Sequence, residues 1–168
     1  LIYLLEKQKM ENKNITKKLI EEIKKRGLMK EQDETEMEMD TKNESSEFAE
    51  MISKLNTSSI QVHIYHWQVK GQGSYAAHKA FGSYYEEITE LIDGLVESYQ
   101  GKYGIIENFT CEGVENFKSI QDSVDYFGNL MEMVEEKRKS VDDSYLQNQI
   151  DGVIELITST LYKLRFLH

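Results

Sequence analysis

An all-α fold, a helical bundle preceded by an amino-terminal extension, is predicted by three observations on this 168-residue sequence. Proline is absent throughout, so no ring clash or missing N–H interrupts a helical ladder. Glycines cluster near 71–73, 101–104 and 113, where chain reversals are needed. Four long stretches carry apolar residues at alternating steps of three and four, the period of one helix face.

The elements follow in order. Residues 1–9 precede Met10, a plausible initiator, and are given no functional weight. From Ile15 to Leu28, Ile15, Leu19, Ile20 and Ile23 fall at helical spacing beside Lys17, Lys18, Lys24, Lys25 and Arg26, which predicts a short basic amphipathic helix stopped by Gly27. Glu31 to Ser46 is acidic and polar and reads as a linker. Residues 1–45 are therefore expected as a helical or disordered extension, and 46–168 as a four-helix bundle. Ser45 or Ser46 is expected to cap the first bundle helix, with Phe48, Met51, Ile52, Leu55, Ser59, Val62, His66 and Val69 on one side. The second is expected from about Ser74 to Tyr99, with Phe81, Tyr85, Ile88, Ile92, Leu95 and Val96 inward. After a longer connection, in which Ile105, Ile106 and Phe109 suggest a short packed element, the third is expected from about Val114 to Lys139 through Phe117, Ile120, Val124, Phe127, Met131 and Val134. Asp142 or Asp143 is expected to cap the fourth, whose stripe is Leu146, Ile150, Val153, Ile157, Leu161 and Leu164.

Composition narrows the function classes. No apolar run approaches the roughly 18 residues of a membrane span, and the first residues lack a secretory cleavage pattern. A lone Cys111 excludes a disulfide framework within the chain and fits a reducing compartment, so a cytoplasmic protein is expected. A net charge of −10 argues against general nucleic-acid binding. Nine Lys or Arg among residues 1–30 form a basic start, opposed by nine acids in residues 31–50. DNA is accordingly not expected as a partner.

The chemistry gathers in His66, His78, Asp93 and Glu97. A hairpin turning near position 72 sets His66 opposite His78, where two imidazoles can share one ion. Asp93 and Glu97, four apart, lie on one helix face, where two carboxylates repel unless a cation or protons separate them. Fifteen residues from His78 to Asp93 span about 22 Å of helix, too far for one ion within one chain. Either there are two half-sites, or a symmetry-related copy brings its carboxylates to the histidines across a two-fold axis. No Glu-x-x-His occurs, and a thiolate zinc site is excluded by the single cysteine. Trp67 reads, from its position alone, as a large core residue of the first helix.

The run His63-Ile64-Tyr65-His66-Trp67-Gln68-Val69-Lys70-Gly71, a second His twelve residues after His66, an Asp fifteen further and a Glu four beyond that resemble the signature of the Dps family, the twelve-subunit mini-ferritins. The resemblance spans about residues 48–99. It implies a ferritin-like four-helix bundle that forms a two-fold dimer and a dodecameric shell. In such a shell Fe(II) is oxidised by hydrogen peroxide, and ferric iron is stored as protection against oxidative damage. It further implies that His66 and His78 bind iron together with Asp93 and Glu97 of the partner copy, and that Trp67 can quench an oxidising equivalent. Gly82 stands where the family commonly carries a further acid, and the connection after the second helix is shorter than usual. These departures suit a rival reading: a structural bundle without ferroxidase activity, whose amino-terminal arm recruits a partner.

Overall fold

The computed structural model describes the backbone of residues 31–167 and the side chains of residues 45–167, with Lys18 and Glu22 besides. The rest of the basic segment at 15–28 and residues 1–9 lie outside the described residues. Four helices lie within residues 31–167: α1 (Glu31–Gln68), α2 (Ser74–Tyr103), α3 (Ile120–Lys139) and α4 (Ser144–Phe166). No strand occurs among the described residues. The chain divides into two units, Leu1–Asn43 and Glu44–His168, and the second holds the bundle.

The acidic stretch 31–46, expected as a linker, is helical and continuous with α1. Glu, Met, Gln and Lys are good helix formers, and neither Gly nor Pro occurs between 31 and 68, so polarity alone does not make this stretch a coil. Ser45 and Ser46 consequently lie within the helix instead of capping it.

Cross-helix contacts give the topology. α1 and α2 run antiparallel, because Phe48 stacks on Tyr99 with ring centroids 3.9 Å apart, Ser58 meets Tyr84 at 2.7 Å, and His66 meets His78. α3 and α4 also run antiparallel, joined by a two-pronged Arg138–Asp151 pair at 2.5 and 2.8 Å. α2 packs antiparallel on α4, where Gln149 reaches Ser98 and Leu91 lies against Gly152. Lys137 reaches back to Glu47, which sets α3 antiparallel to α1. α2 and α3 are therefore parallel, so residues 104–119 must return along the whole bundle.

That return segment is an extended strap without regular structure. Three side chains of α1 hold it. Thr110 N–H donates to Ser53 Oγ, the Gln61 amide exchanges two 2.7 Å bonds with the backbone of Glu115, and Gln68 accepts from Phe117 N–H while donating to Asn116 Oδ1. At its start Gln100 accepts from Ile106 N–H. These bonds satisfy backbone groups that helix or sheet would otherwise pair. They also explain why the third helix begins at Ile120 and not near Val114: Glu115 to Phe117 are committed to α1, and Ser119 caps at Asp122 N–H. Of the apolar residues expected to form a packed element, Ile106 is buried, whereas Ile105 and Phe109 are exposed.

The core follows the expected stripes of α4 throughout. On α2, Tyr84 is fully buried and Tyr85 is not, so the inward stripe is Phe81, Tyr84, Ile88, Ile92, Leu95 and Tyr99. On α3 Leu130 is buried where Met131 was expected. Asp143 occupies the N-cap position of α4, yet its carboxylate makes no cap bond. Lys102 and the Tyr103 hydroxyl hold it instead, at 2.6–2.7 Å.

Candidate functional site

His66 lies in the last turn of α1 and His78 near the start of α2. Between them, Gly71 (φ 90°) and Gly73 (φ 74°) adopt left-handed backbone that other residues enter only at a cost, which permits the tight reversal. The reversal brings the two imidazoles into a stack, centroids 3.7 Å apart and planes within 21°.

A reciprocal pair of hydrogen bonds fixes that stack. His66 Nδ1 donates to the backbone oxygen of His78 at 2.9 Å, and His78 Nδ1 donates to that of His66 at 3.0 Å. A carbonyl oxygen can only accept, so Nδ1 carries the proton in each ring. In the neutral rings both Nε2 atoms therefore hold lone pairs. This is the tautomer that metal-bound histidines use, with the other nitrogen oriented by a backbone acceptor.

Gly82, one turn after His78, lies against the same ring: a Cβ placed there would sit 3.4 Å from His66 Cε1 and 3.5 Å from Nδ1. Asp93 and Glu97 are both exposed on α2, about 22 Å or more further along the axis. The structure thus brings His66 and His78 together and leaves the two carboxylates apart from them. Among the described residues, no group of three or more His, Cys, Asp or Glu side chains converges in one chain.

Trp67 is 68% exposed, so it is no core residue. Its ring lies 4.2 Å from His63, which stacks on Tyr85 at 4.0 Å, and Tyr85 meets the His66 ring edge-on at 5.3 Å. A continuous run of rings therefore leads from the imidazole pair through Tyr85 and His63 to Trp67. Tyr85, expected in the core, and His63, an extra imidazole three residues before His66 that reads from sequence as structural, both adjoin this site. Their spacing carries the signal: Tyr85 is two turns after His78, and His63 one turn before His66.

No helix among the described residues is long and apolar enough to cross a membrane. A family of unknown function (DUF5856) matches residues 66–164, a segment that contains all four expected ligand positions. No curated protein and no solved structure matches the chain.

Proposed function

Because the chain belongs to a family whose description, a family of unknown function (DUF5856), carries no chemistry, we propose its role from the site: a ferritin-like, iron-binding protein that oxidises Fe(II) with hydrogen peroxide and sequesters the ferric product. The observation that carries this reading is the reciprocal histidine clamp, which leaves Nε2 as the lone-pair nitrogen in each of two stacked imidazoles. Imidazole plus carboxylate is the donor mixture that suits iron with open positions. The four-residue pattern His66, His78, Asp93 and Glu97 is similar to that of the Dps family, and one long crossover joining two hairpins is the connectivity of ferritin-like bundles. Iron is the substrate here. In a two-fold dimer each histidine pair would be completed by Asp93 and Glu97 of the other copy, because no third ligand converges on the pair among the described residues of one chain. A larger shell, up to the dodecamer of the resembled family, would follow from further contacts of that dimer. The exposed thiol of Cys111 fits a cytoplasmic location.

A second reading, a structural bundle whose amino-terminal arm recruits a partner, draws on two observations: glycine at position 82, and a strap that carries no helix. Anaerobic Fe(II) addition followed by stoichiometric peroxide separates the two. Ferric absorbance that rises faster than in buffer, and that is lost in His66→Ala, supports the iron reading. Mixing His66→Ala with Asp93→Ala subunits is expected to restore a fraction of sites, since each mixed dimer contains one intact set and neither homodimer contains any. Oxidation at the buffer rate favours the structural bundle.

A further inference from the structure

We infer that Tyr85 is an electron donor to the His66–His78 site, so that one ferrous ion and one tyrosine together reduce one hydrogen peroxide to water; the inference rests on the iron reading above.

The argument begins with an electron count. Hydrogen peroxide accepts two electrons on going to two waters, whereas one Fe(II) gives one. A site with two irons meets the demand by itself. Here the position one turn after His78 is Gly82, packed on the His66 ring and offering no carboxylate. Two imidazoles from one chain and two carboxylates from the other make a ligand set for one ion. With iron alone, peroxide would be cut to hydroxide and a free hydroxyl radical.

Ring geometry supplies the missing electron. Tyr85 is the oxidisable side chain whose ring meets that of His66, at 5.3 Å. Trp67, adjacent to His66 in sequence, reaches the pair only through His63, whose ring lies 6.1 Å from that of His66, farther than Tyr85, and stacks on Tyr85. Tyr85 is half-buried, so the proton released on oxidation can pass to water. Its neighbour Tyr84 is turned away, fully buried and bonded to Ser58. The step balances. The O–O bond breaks, iron gives one electron and becomes ferric, and the phenol gives one electron and its proton. One further proton comes from solvent, and two waters and a neutral tyrosyl radical form. His63, stacked between Tyr85 and Trp67, extends the path to an exposed indole, where the oxidising equivalent can be discharged away from the iron.

The test loads the full chain anaerobically with one Fe(II) per subunit, adds one equivalent of peroxide, and freezes samples for electron paramagnetic resonance while ferric absorbance is followed in parallel. The expected result is one Fe(III) per peroxide with a tyrosyl signal that narrows when the protein carries β-deuterated tyrosine. Tyr85→Phe keeps the ring stack on His63. It should lose that signal and raise hydroxyl-radical adducts of a spin trap several-fold, with iron still oxidised faster than in buffer. Tyr84→Phe should retain the signal. Two Fe(III) per peroxide with no radical in the wild type would overturn the inference while leaving the iron reading intact, as would an unchanged tyrosyl spectrum in Tyr85→Phe. Iron oxidised no faster than in buffer by the wild type would remove both.

Discussion

Ser58 has one hydroxyl proton, and it is donated to the backbone oxygen of Leu55 at 2.6 Å. The Tyr84 phenol must therefore be the donor in the 2.7 Å bond between the two side chains. Burial holds that phenol well above the ordinary tyrosine range, so it stays neutral and able to donate. Tyr84→Phe is expected to cost about 1 kcal/mol by urea unfolding, because Ser58 keeps its own bond to Leu55. Tyr84→Ala is expected to cost about 3–5 kcal/mol through the cavity. Periodicity located the apolar side of α2 but placed Tyr85 within it, since adjacent tyrosines differ by 100° of helix and only packing selects which one turns inward. The histidines were legible because a glycine turn and a twelve-residue interval fix their meeting. Their mutual clamp was not, because backbone acceptors leave no trace in residue identity.

Among the elements, the strap at 104–119 depends most on single side chains. Gln61 makes both amide bonds to Glu115, much as a neighbouring strand would. Gln61→Leu removes both while roughly conserving volume, leaving the Glu115 N–H and C=O to find water. The expected outcome is faster hydrogen exchange at Glu115, with the amides of α4 unchanged, at a cost of about 1–3 kcal/mol. Little of this was readable in advance. Ser53, Gln61 and Gln68 look like ordinary polar positions, and their shared role emerges only once α3 is parallel to α2 and the chain must travel back. The acidic start of α1 was misread for the opposite reason: its charge density suggested a linker, while its residue types favour helix.

At the scale of the whole molecule, the polar ties between helices include two made by carboxylates at the start and in the first half of α4. Asp143 receives Lys102 and Tyr103, and Asp151 receives Arg138. These donors hold both carboxyls below the ordinary carboxylate range, with the hydrogen bond from Lys102 the largest influence on Asp143. A lowered folded value means that the contribution is complete above the unfolded carboxylate value and is lost as pH falls through the folded one. Lys102, raised mainly by Asp143, loses its share only in strong alkali. Thermal melts of Asp143→Asn should therefore fall less steeply than wild type below about pH 4, and the two proteins should differ little in slope near neutrality. The ties lie at the surface, so the effect is expected to be small. Connectivity has a larger consequence. The bundle is two antiparallel hairpins in series, linked by a segment with no regular structure and an exposed middle, Glu107 to Phe109. Such a chain is severable: a nick there would leave two halves whose buried faces still complement each other, because one core joins them.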